Sequence, residues 1–316
     1  MRLVQATEAM AGERDRASWA TWGGPLALEA YLAHVLRLRN HPWSRAAMST
    51  WILGSDEGAP LASCQAYRMD SRYASALGHA YGLGSVFTEP AQRGRGLASH
   101  LLNLLAEHLV AADPGAQACI LFTEAGAAPY VRAGFQELPL RTLAFSAQIG
   151  DPGQGVDALL TEGDLAATVA ELPWPEGAFA IRPSGAQLDW QLERERILLD
   201  VLGRPGPPAR GARAGRGLAL WAVDPHRQGL ALLHFQATSP GEGAALLEAA
   251  RRMALVCALP RVLLWDGPEA APWHPLPTLK SGEVDVALSG PRPMLRPLRS
   301  GLQGPDWARI QEATRI

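Results

Sequence analysis

The sequence has little lysine, little cysteine and no long apolar run. Lys280 is the only lysine among 316 residues, so no lysine follows a glycine-rich segment as a Walker A nucleotide loop requires. A lysine Schiff base would depend on Lys280 alone, which we predict to lie in a surface loop. No apolar run approaches the roughly 18 residues that a membrane-spanning helix needs. These absences argue against P-loop chemistry, Schiff-base chemistry and a membrane span.

The three cysteines, Cys64, Cys119 and Cys257, lie far apart in apolar segments. We interpret them as buried, reduced thiols, which is the usual state of free cysteine. Their spacing matches no zinc-binding pattern, so we predict no metal site. The N-terminus carries acidic and polar residues where a secretory signal has its apolar segment, which favours a cytoplasmic protein.

The charge of the chain is nearly balanced, with 29 Lys and Arg against 31 Asp and Glu and a formal net charge of -2. This balance favours neither a nucleic-acid partner nor a membrane-surface partner. The length and the hydrophobic fraction of 47% predict about two domains with sizeable cores. We place the boundary in the Gly-, Pro- and Asp-rich segment 149–155, which divides the chain into residues 1–148 and 149–316.

Helical and strand-like segments alternate in the first part and predict a mixed α/β fold. The predicted strands are 2–8, 50–54, 59–69, 81–87 and 118–123, with one or two final strands within 135–147, and the predicted helices are 12–22, 25–38, 97–110 and 129–133. In the second part we predict helices 156–171, 185–202 and 243–259, a hairpin of 218–223 with 230–236, and a strand at 261–265. The order hairpin, helix, strand repeats the first part. The arginine-rich segment 203–217, between the helix 185–202 and the hairpin, is expected to be a solvated loop, with a polyanion-binding arm as the alternative.

The most informative segment is 85–99, in which a short apolar strand leads through a proline and an Arg/Gly-rich loop directly into a helix. Backbone N–H groups at such a helix start can bind a pyrophosphate. Gly94 and Gly96 leave the backbone accessible, and neighbouring arginines add positive charge. A Rossmann loop matches less well because Ser99 stands where it needs a third glycine and because this loop lies in mid-domain. A plain glycine-rich connection is the remaining alternative.

A second motif, Tyr-x-x-x-Gly-Phe, begins at Tyr130 and ends at Phe135. A phenol has an ordinary pKa of about 10, so it stays protonated at neutral pH and can act as a proton donor. The alternative is a tyrosine that only packs a short helix against the sheet.

The two motifs together resemble those of the GCN5-related N-acetyltransferases (GNATs), which use acetyl-CoA. The family's loop pattern, Arg/Gln-x-x-Gly-x-Gly/Ala, is filled here by Arg93, Gly96 and Ala98. The resemblance implies that the strand before the loop binds the pantetheine arm, that the loop binds the diphosphate, and that Tyr130 protonates the CoA thiolate. The cofactor-binding residues implied in this way are Ser85, Val86, Phe87, Arg93, Gly94, Arg95, Gly96, Leu97 and Ala98.

Further segments are similar to the fungal lysine N-acetyltransferase type, which also has a GNAT-like second half. These segments are residues 22–31, 41–43, 51–53, 63–67 and 84–90. The resemblance implies a GNAT fold followed by a partial GNAT-like domain. Where that type has Ser-Asp-x-Gly before the tyrosine, this chain has residues 123–126 with the longer carboxylate of Glu124. We therefore adopt the fold but not free lysine as the substrate.

An amine acceptor must lose a proton before it attacks, because ammonium groups have pKa values of about 10. Glu124, directly after the buried strand 118–123, is our first candidate for the base or for an amine-binding carboxylate. Glu89, Asp70 and His79 remain open as alternatives. In the second half, the loop 238–244 contains Glu242 and no arginine, and a carboxylate there would repel a pyrophosphate. We therefore expect only the first half to bind CoA.

The leading hypothesis is an enzyme that transfers acetyl from acetyl-CoA to a primary amine by direct attack within a ternary complex. We expect a small-molecule acceptor such as an amino acid, with protein amines as the alternative, and the oligomeric state stays open. Two other classes compete with this hypothesis: a non-catalytic acyl-CoA-binding or sensing module, and an interaction protein built from degenerate repeats.

Overall fold

The computed structural model describes residues 1–24, 26–124, 126–174, 179–267, 274–276, 284–287, 291–299, 308–309, 312 and 315. Lys280, expected in a surface loop, lies outside them. Within these ranges no helix combines the length and the apolarity needed to cross a bilayer. The same ranges contain no group of His, Cys, Asp and Glu side chains arranged to hold a metal ion.

The described residues form two mixed sheets with helices packed on them. The helices are α1 (Glu8–Trp22), α2 (Leu28–Asn40), α3 (Pro42–Ala47), α4 (Leu97–Ala112), α5 (Ala128–Arg132), α6 (Leu165–Ala170), α7 (Gly185–Val201) and α8 (Pro240–Val256). The strands are β1 (Arg2–Gln5), β2 (Met48–Gly54), β3 (Pro60–Tyr73), β4 (Ala76–Thr88), β5 (Ala116–Thr123), β6 (Gln136–Glu137), β7 (Arg141–Ser146), β8 (Ala158–Leu160), β9 (Phe179–Ile181), β10 (Gly211–Ala214), β11 (Gly217–Asp224), β12 (Gly229–Gln236), β13 (Arg261–Asp266), β14 (Val284–Ala287), β15 (Arg292–Pro297) and β16 (Ala308–Arg309).

The first sheet has the strand order β1-β2-β3-β4-β5-β15-β6, and β9 and β16 extend it beside β3. Strands β1 to β4 pair antiparallel, whereas β4 and β5 run parallel. Helix α4 connects β4 to β5. Its leucines at helical spacing (Leu97, Leu101, Leu105 and Leu109) are buried in the core beneath that sheet.

The second sheet has the order β14-β7-β13-β12-β11-β10-β8. Strands β11 and β12 form an antiparallel hairpin, α8 follows, and β13 lies parallel to β12. This arrangement repeats β3, β4, α4 and β5 of the first sheet. The mixed α/β class and the repeat of hairpin, helix and strand are therefore confirmed.

The two sheets exchange strands. Strand β7 comes before the predicted boundary at 149 yet pairs with β13 of the second sheet, while β15 comes from the second half and pairs with β5 of the first. Of the final strands predicted within 135–147, β6 therefore lies in the first sheet and β7 in the second. A buried cluster that contains Ile120, Trp190, Trp265 and Leu295 also joins the halves.

Two local predictions in the second half are wrong. The expected helix 156–171 is replaced by β8, a 3-10 turn and the short helix α6, because the Asp164 carboxylate accepts the Thr161 N–H at 2.7 Å and fixes a helix start there. The expected solvated loop 203–217 contains β10, and Arg210 is buried beside Glu195 of α7 at 2.5 Å. Of the cysteines, Cys64 and Cys119 are free and buried as predicted, while Cys257 is partly exposed.

Candidate active site

The pairing of β4 with β5 in the first sheet ends before either strand does, and we call the space between their unpaired ends the cleft. Their parallel pairing ends at Leu83 opposite Leu121, but β4 continues to Thr88. The peptide groups of β4 beyond Leu83 therefore have no β5 partner. Unpaired backbone N–H and C=O groups need a hydrogen-bonding partner, so this stretch can bind an extended ligand as an added strand would bind.

A β-bulge shapes the wall of this cleft. Ser85 and Val86 of β4 lie opposite the single residue Cys64 of β3, and Ser85 has a φ of 50°. The left-handed region is unfavourable for a residue with a side chain. The Arg14 guanidinium stabilises this conformation, since it donates to the Ser85 carbonyl oxygen at 2.5 Å and to the Ser63 hydroxyl at 3.3 Å.

Arg14 belongs to a buried ionic group on α1 that sequence reasoning missed. It is 6% exposed and donates to the Asp15 carboxylate at 3.0 Å, and Arg39 of α2 also donates to Asp15. Burial lowers the pKa of Arg14 from its ordinary value. The available signal was the helical spacing of Ala11, Arg14, Asp15 and Ser18, which places two charges on the buried face of α1.

The Arg/Gly loop has the backbone geometry of an anion site. Gly94 and Gly96 adopt φ values of 79° and 73°, which only glycine adopts without strain. Gly96 is the N-cap of α4, and no side chain within the described ranges caps the helix. The first helical bond runs from the His100 N–H to the Gly96 carbonyl oxygen at 3.1 Å. Among the described residues, the N–H groups of Leu97 and Ala98 have no hydrogen-bond acceptor. They point out of a helix start, where the dipole favours negative charge.

The remaining predicted cofactor residues divide into exposed charges and core side chains. Arg93 and Arg95 are exposed; the Arg93 Nε donates to the Thr88 carbonyl oxygen at 3.3 Å. Phe87 and Leu97 are buried in the core. Contacts from Phe87 to a ligand in the cleft would therefore come from its main chain.

Tyr130 lies at the cleft on the short helix α5, directly after β5. It is half-buried, and burial raises the pKa of its phenol, which a hydrogen bond with the Thr123 side chain partly offsets. Gly134, at a φ of 77°, ends the helix and allows the Phe135 N–H to reach the Tyr130 carbonyl oxygen at 3.0 Å. The glycine of the Tyr-x-x-x-Gly-Phe motif is thus required by this turn.

The candidate bases lie at different ends of the sheet. Glu124 follows β5 at the cleft; its side chain is 72% exposed and lies 3.5 Å from Arg315. Asp70 and His79 pair across β3 and β4 at the start of β5, and eight strand residues place them roughly 25 Å from Glu124. His79 is held there by Asp113 at 2.8 Å.

Glu89 precedes the loop, and burial raises the pKa of its carboxyl despite nearby Arg93. The structure therefore brings together Glu124, Tyr130 and the cleft. It does not bring His79 or Asp70 to them.

Comparison with known proteins agrees with this geometry. Residues 16–135 match the family model described as "Acetyltransferase (GNAT) family", and residues 160–274 match the "LYC1 GNAT-like C-terminal domain". The chain belongs to the GNAT acetyltransferases. This GNAT protein accordingly uses acetyl-CoA as its acetyl donor, and the positively charged loop with free N–H groups suits the diphosphate of that donor. No curated protein matches the chain as a relative.

Solved structures share the fold across both halves of this GNAT protein. A conserved protein of unknown function from Enterococcus faecalis V583, described as a probable N-acyltransferase, aligns with a TM-score of 0.60 and 11% identity over 94% of this chain and 72% of that one. Eis1 from Mycobacterium abscessus aligns with a TM-score of 0.57 and 17% identity over 94% and 73%. A GCN5-related N-acetyltransferase from Sphaerobacter thermophilus aligns with a TM-score of 0.50 and 16% identity over 96% and 98%. At these identities the likeness establishes the fold.

Proposed function

We propose that this GNAT enzyme transfers acetyl from acetyl-CoA to the primary amine of a small molecule, such as an amino acid. The observation that carries the proposal is the cleft between β4 and β5, which ends at an uncapped helix start with two left-handed glycines. Such a cleft provides backbone pairing for an extended arm and N–H donors for a diphosphate at its end. The cytoplasmic location stays a prediction.

The cofactor would lie along β4 and reach the loop with its diphosphate. The main chain at Ser85, Val86 and Phe87 would pair with the pantetheine arm. The N–H groups at the start of α4 and the exposed side chains of Arg93 and Arg95 would hold the phosphates. The residues assigned to acetyl-CoA are Ser85, Val86, Phe87, Arg93, Gly94, Arg95, Gly96, Leu97 and Ala98.

The chemical step we propose is direct attack of the neutral amine on the thioester carbonyl. The C–N bond forms, the tetrahedral intermediate collapses, and the C–S bond breaks to release the CoA thiolate. Tyr130 would protonate that sulfur, because burial raises its phenol pKa and keeps it protonated. Backbone donors at the bulge would stabilise the oxyanion.

Glu124 is the carboxylate we assign to the acceptor amine. It lies directly after β5 and close to the segment that carries Tyr130. Its high exposure lets water carry away the proton that the ammonium group loses. Glu124 would bind the ammonium and accept its proton directly or through water.

We propose that the second half binds no CoA. Its helix start at α8 is already capped, because the Ser239 hydroxyl accepts the Glu242 N–H at 3.2 Å. The Glu242 carboxylate lies beside this start and accepts the N–H groups of Thr238 at 2.7 Å and Arg216 at 2.9 Å. A carboxylate lies where a phosphate would need to bind, and like charges repel. This supports a division into residues 1–148 with the cofactor site and 149–316 without one, although the strands are exchanged across that division.

The decisive test is thiol release from acetyl-CoA with a panel of amines. We expect turnover with small amines, a lower kcat in Tyr130→Phe with cofactor affinity unchanged, and loss of CoA binding in Gly96→Glu. Ala112→Glu is the matched control, because it adds the same charge at the exposed far end of α4. Normal CoA binding by Gly96→Glu would reject the loop assignment. Tight CoA binding with no turnover of any amine would favour a non-catalytic binding module.

A further inference from the structure

A cavity of about 80 Å³ lies between α7 and the second sheet. Arg194 and Glu195 of α7 and Asp224 of β11 line it, together with Glu312 and Arg315. Arg315 also lies 3.5 Å from Glu124 at the end of β5. The cavity therefore adjoins the end of the cleft to which we assign the acceptor amine.

The carboxylates of this cavity are already neutralised by arginines. Asp224 lies 2.7 Å from Arg227 and 3.2 Å from Arg315. Although burial raises the pKa of Asp224, these two arginines bring it down to about 2. Glu312 contacts the same two arginines. The Asp224 and Glu312 carboxylates are therefore paired with arginines and offer little to a bound cation.

The Glu195 carboxylate is paired as well, because it lies 2.5 Å from Arg210 and accepts the Val223 N–H at 2.5 Å. Glu124, at the edge, is largely exposed to solvent and is therefore screened.

Among the described residues that line the cavity, Arg194 is the arginine without a charged partner. In the part of the chain that the structure describes, it forms neither a hydrogen bond nor an ion pair within 4 Å. Desolvation lowers the pKa of its guanidinium, and Arg315 lowers it further, while Asp224 and Glu124 act in the opposite direction from longer range. The Arg194 side chain is half-buried, so its N–H donors are only partly hydrated, and a partly desolvated guanidinium is unfavourable without an anion. An anionic group in the cavity would satisfy it.

We propose that Arg194 forms a carboxylate-binding subsite and that the acceptor is an amine that carries a carboxylate. This inference rests on the proposed function and deepens it. The planar guanidinium binds a carboxylate through two parallel hydrogen bonds. A cavity of this size holds several waters, which is room for one carboxylate. The acceptor would place its carboxylate at Arg194 and its amine toward Glu124, so the distance between the two groups selects the chain length.

The test compares ω-amino acids of increasing length with alkylamines of the same length, with thiol release as the readout. We expect the wild type to prefer amino acids of one length. In Arg194→Gln, kcat/KM for the preferred amino acid should fall about ten- to hundredfold, which is the usual worth of a charge-assisted hydrogen bond, with most of the change in KM. Turnover of the alkylamine should stay unchanged, which also shows that the variant is folded. Arg194→Lys should retain part of the preference.

Arg196→Gln is the matched control, because Arg196 lies on the same helix but pairs with Glu162 and Glu193 at the surface. It should leave the preference intact. An equal loss for amino acids and alkylamines in Arg194→Gln, or no loss for either, would overturn the subsite.

Glutarate, which has carboxylates and no amine, separates the two sources of the anion. If glutarate inhibits the turnover of amino acids but not of alkylamines, the subsite binds the acceptor's own carboxylate. Binding without any preference for amino acids indicates a separate anion and rejects our assignment to the acceptor. If CoA binds but no amine reacts, the proposed function fails. Calorimetry with glutarate then tests the subsite by itself: binding to the wild type and not to Arg194→Gln would show that the subsite exists without the proposed function. Equal binding of glutarate to the two proteins would reject the subsite as well as the proposed function.

Discussion

The Ser99 hydroxyl donates a hydrogen bond to the Pro129 carbonyl oxygen at 2.7 Å. This bond joins the first turn of α4, which starts at the Arg/Gly loop, to the segment that carries Tyr130. Ser99 is buried, so the bond is protected from water. The proposed proton donor is thereby held in a fixed position relative to the proposed diphosphate site.

Replacement of Ser99 by alanine should therefore lower kcat about three- to tenfold, because the loss of one buried hydrogen bond costs about 0.5–1.5 kcal/mol and loosens Tyr130. CoA affinity should change little, since the loop backbone is untouched. Steady-state kinetics and CoA titration measure the two effects separately. His100→Ala, at an exposed position next to it, should leave both unchanged. A purely thermal destabilisation of Ser99→Ala with normal kcat would contradict the positioning role.

Arg14→Met should destabilise the protein by about 1–3 kcal/mol, the usual cost of leaving buried hydrogen-bonding groups without a partner, because Asp15 keeps its second partner Arg39. The variant loses the bond to Asp15 and the bond that stabilises Ser85 at its positive φ. Chemical denaturation measures the free energy of unfolding. Arg16→Gln is the control on the same helix, because the Arg16 side chain is 60% exposed and reaches Glu29 only at 4.0 Å; that variant should lie within about 0.5 kcal/mol of the wild type. Similar stability of the two variants would contradict the role of Arg14.

The sequence predicted most closely those elements whose signals are local. Helix α4 was expected at 97–110 and ends at Ala112, because regularly spaced leucines mark its buried face and a glycine marks its start. The left-handed glycines of the loop and the turn at Gly134 follow equally from local backbone geometry. The roles assigned to Tyr130 and Glu124 stay predictions, although both residues lie at the cleft.

What the sequence did not predict depends on contacts between distant segments. The expected loop 203–217 contains a strand because Arg210 finds a buried partner in Glu195 on another element. The exchange of β7 and β15 has no local signature, since either strand would fit either sheet by its own pattern. Arg14 and Arg194 likewise look like ordinary helix-surface arginines until the fold buries or desolvates them.

The strand exchange predicts that residues 1–148 do not fold alone. Without β15, the edge of β5 would expose a row of unpaired peptide groups beside apolar side chains, and such an edge promotes aggregation. Expression of 1–148 should give insoluble or non-cooperatively unfolding protein. Co-expression of 149–316 as a separate chain should restore a soluble complex that co-purifies, because β7 can still pair with β13 and β15 with β5 between the two chains. A monomeric 1–148 with a sharp thermal transition would contradict this prediction.

His34 on α2 predicts a loss of stability in mild acid. Burial lowers its pKa below the ordinary 6.5, and Arg194 and Arg37 lower it further; its Nδ1 is buried without a hydrogen-bond partner. Above pH 6.5 the imidazole is neutral in the folded protein and in the unfolded chain. As the pH falls below that value, the unfolded chain takes up a proton that the folded protein resists, so the free energy of unfolding decreases until the lower folded pKa is passed.

Replacement by glutamine should remove this contribution, and the stability of His34→Gln should depend less on pH than that of the wild type between pH 6.5 and mild acid. Urea denaturation at a series of pH values measures the difference, and it should grow as the pH falls. His100→Gln, at an exposed position, serves as the control and should follow the wild-type profile. If the free energies of unfolding of His34→Gln and the wild type change in parallel with pH, His34 takes up its proton equally well in the folded and the unfolded protein. The positive potential that we attribute to Arg194 would then be absent at α2.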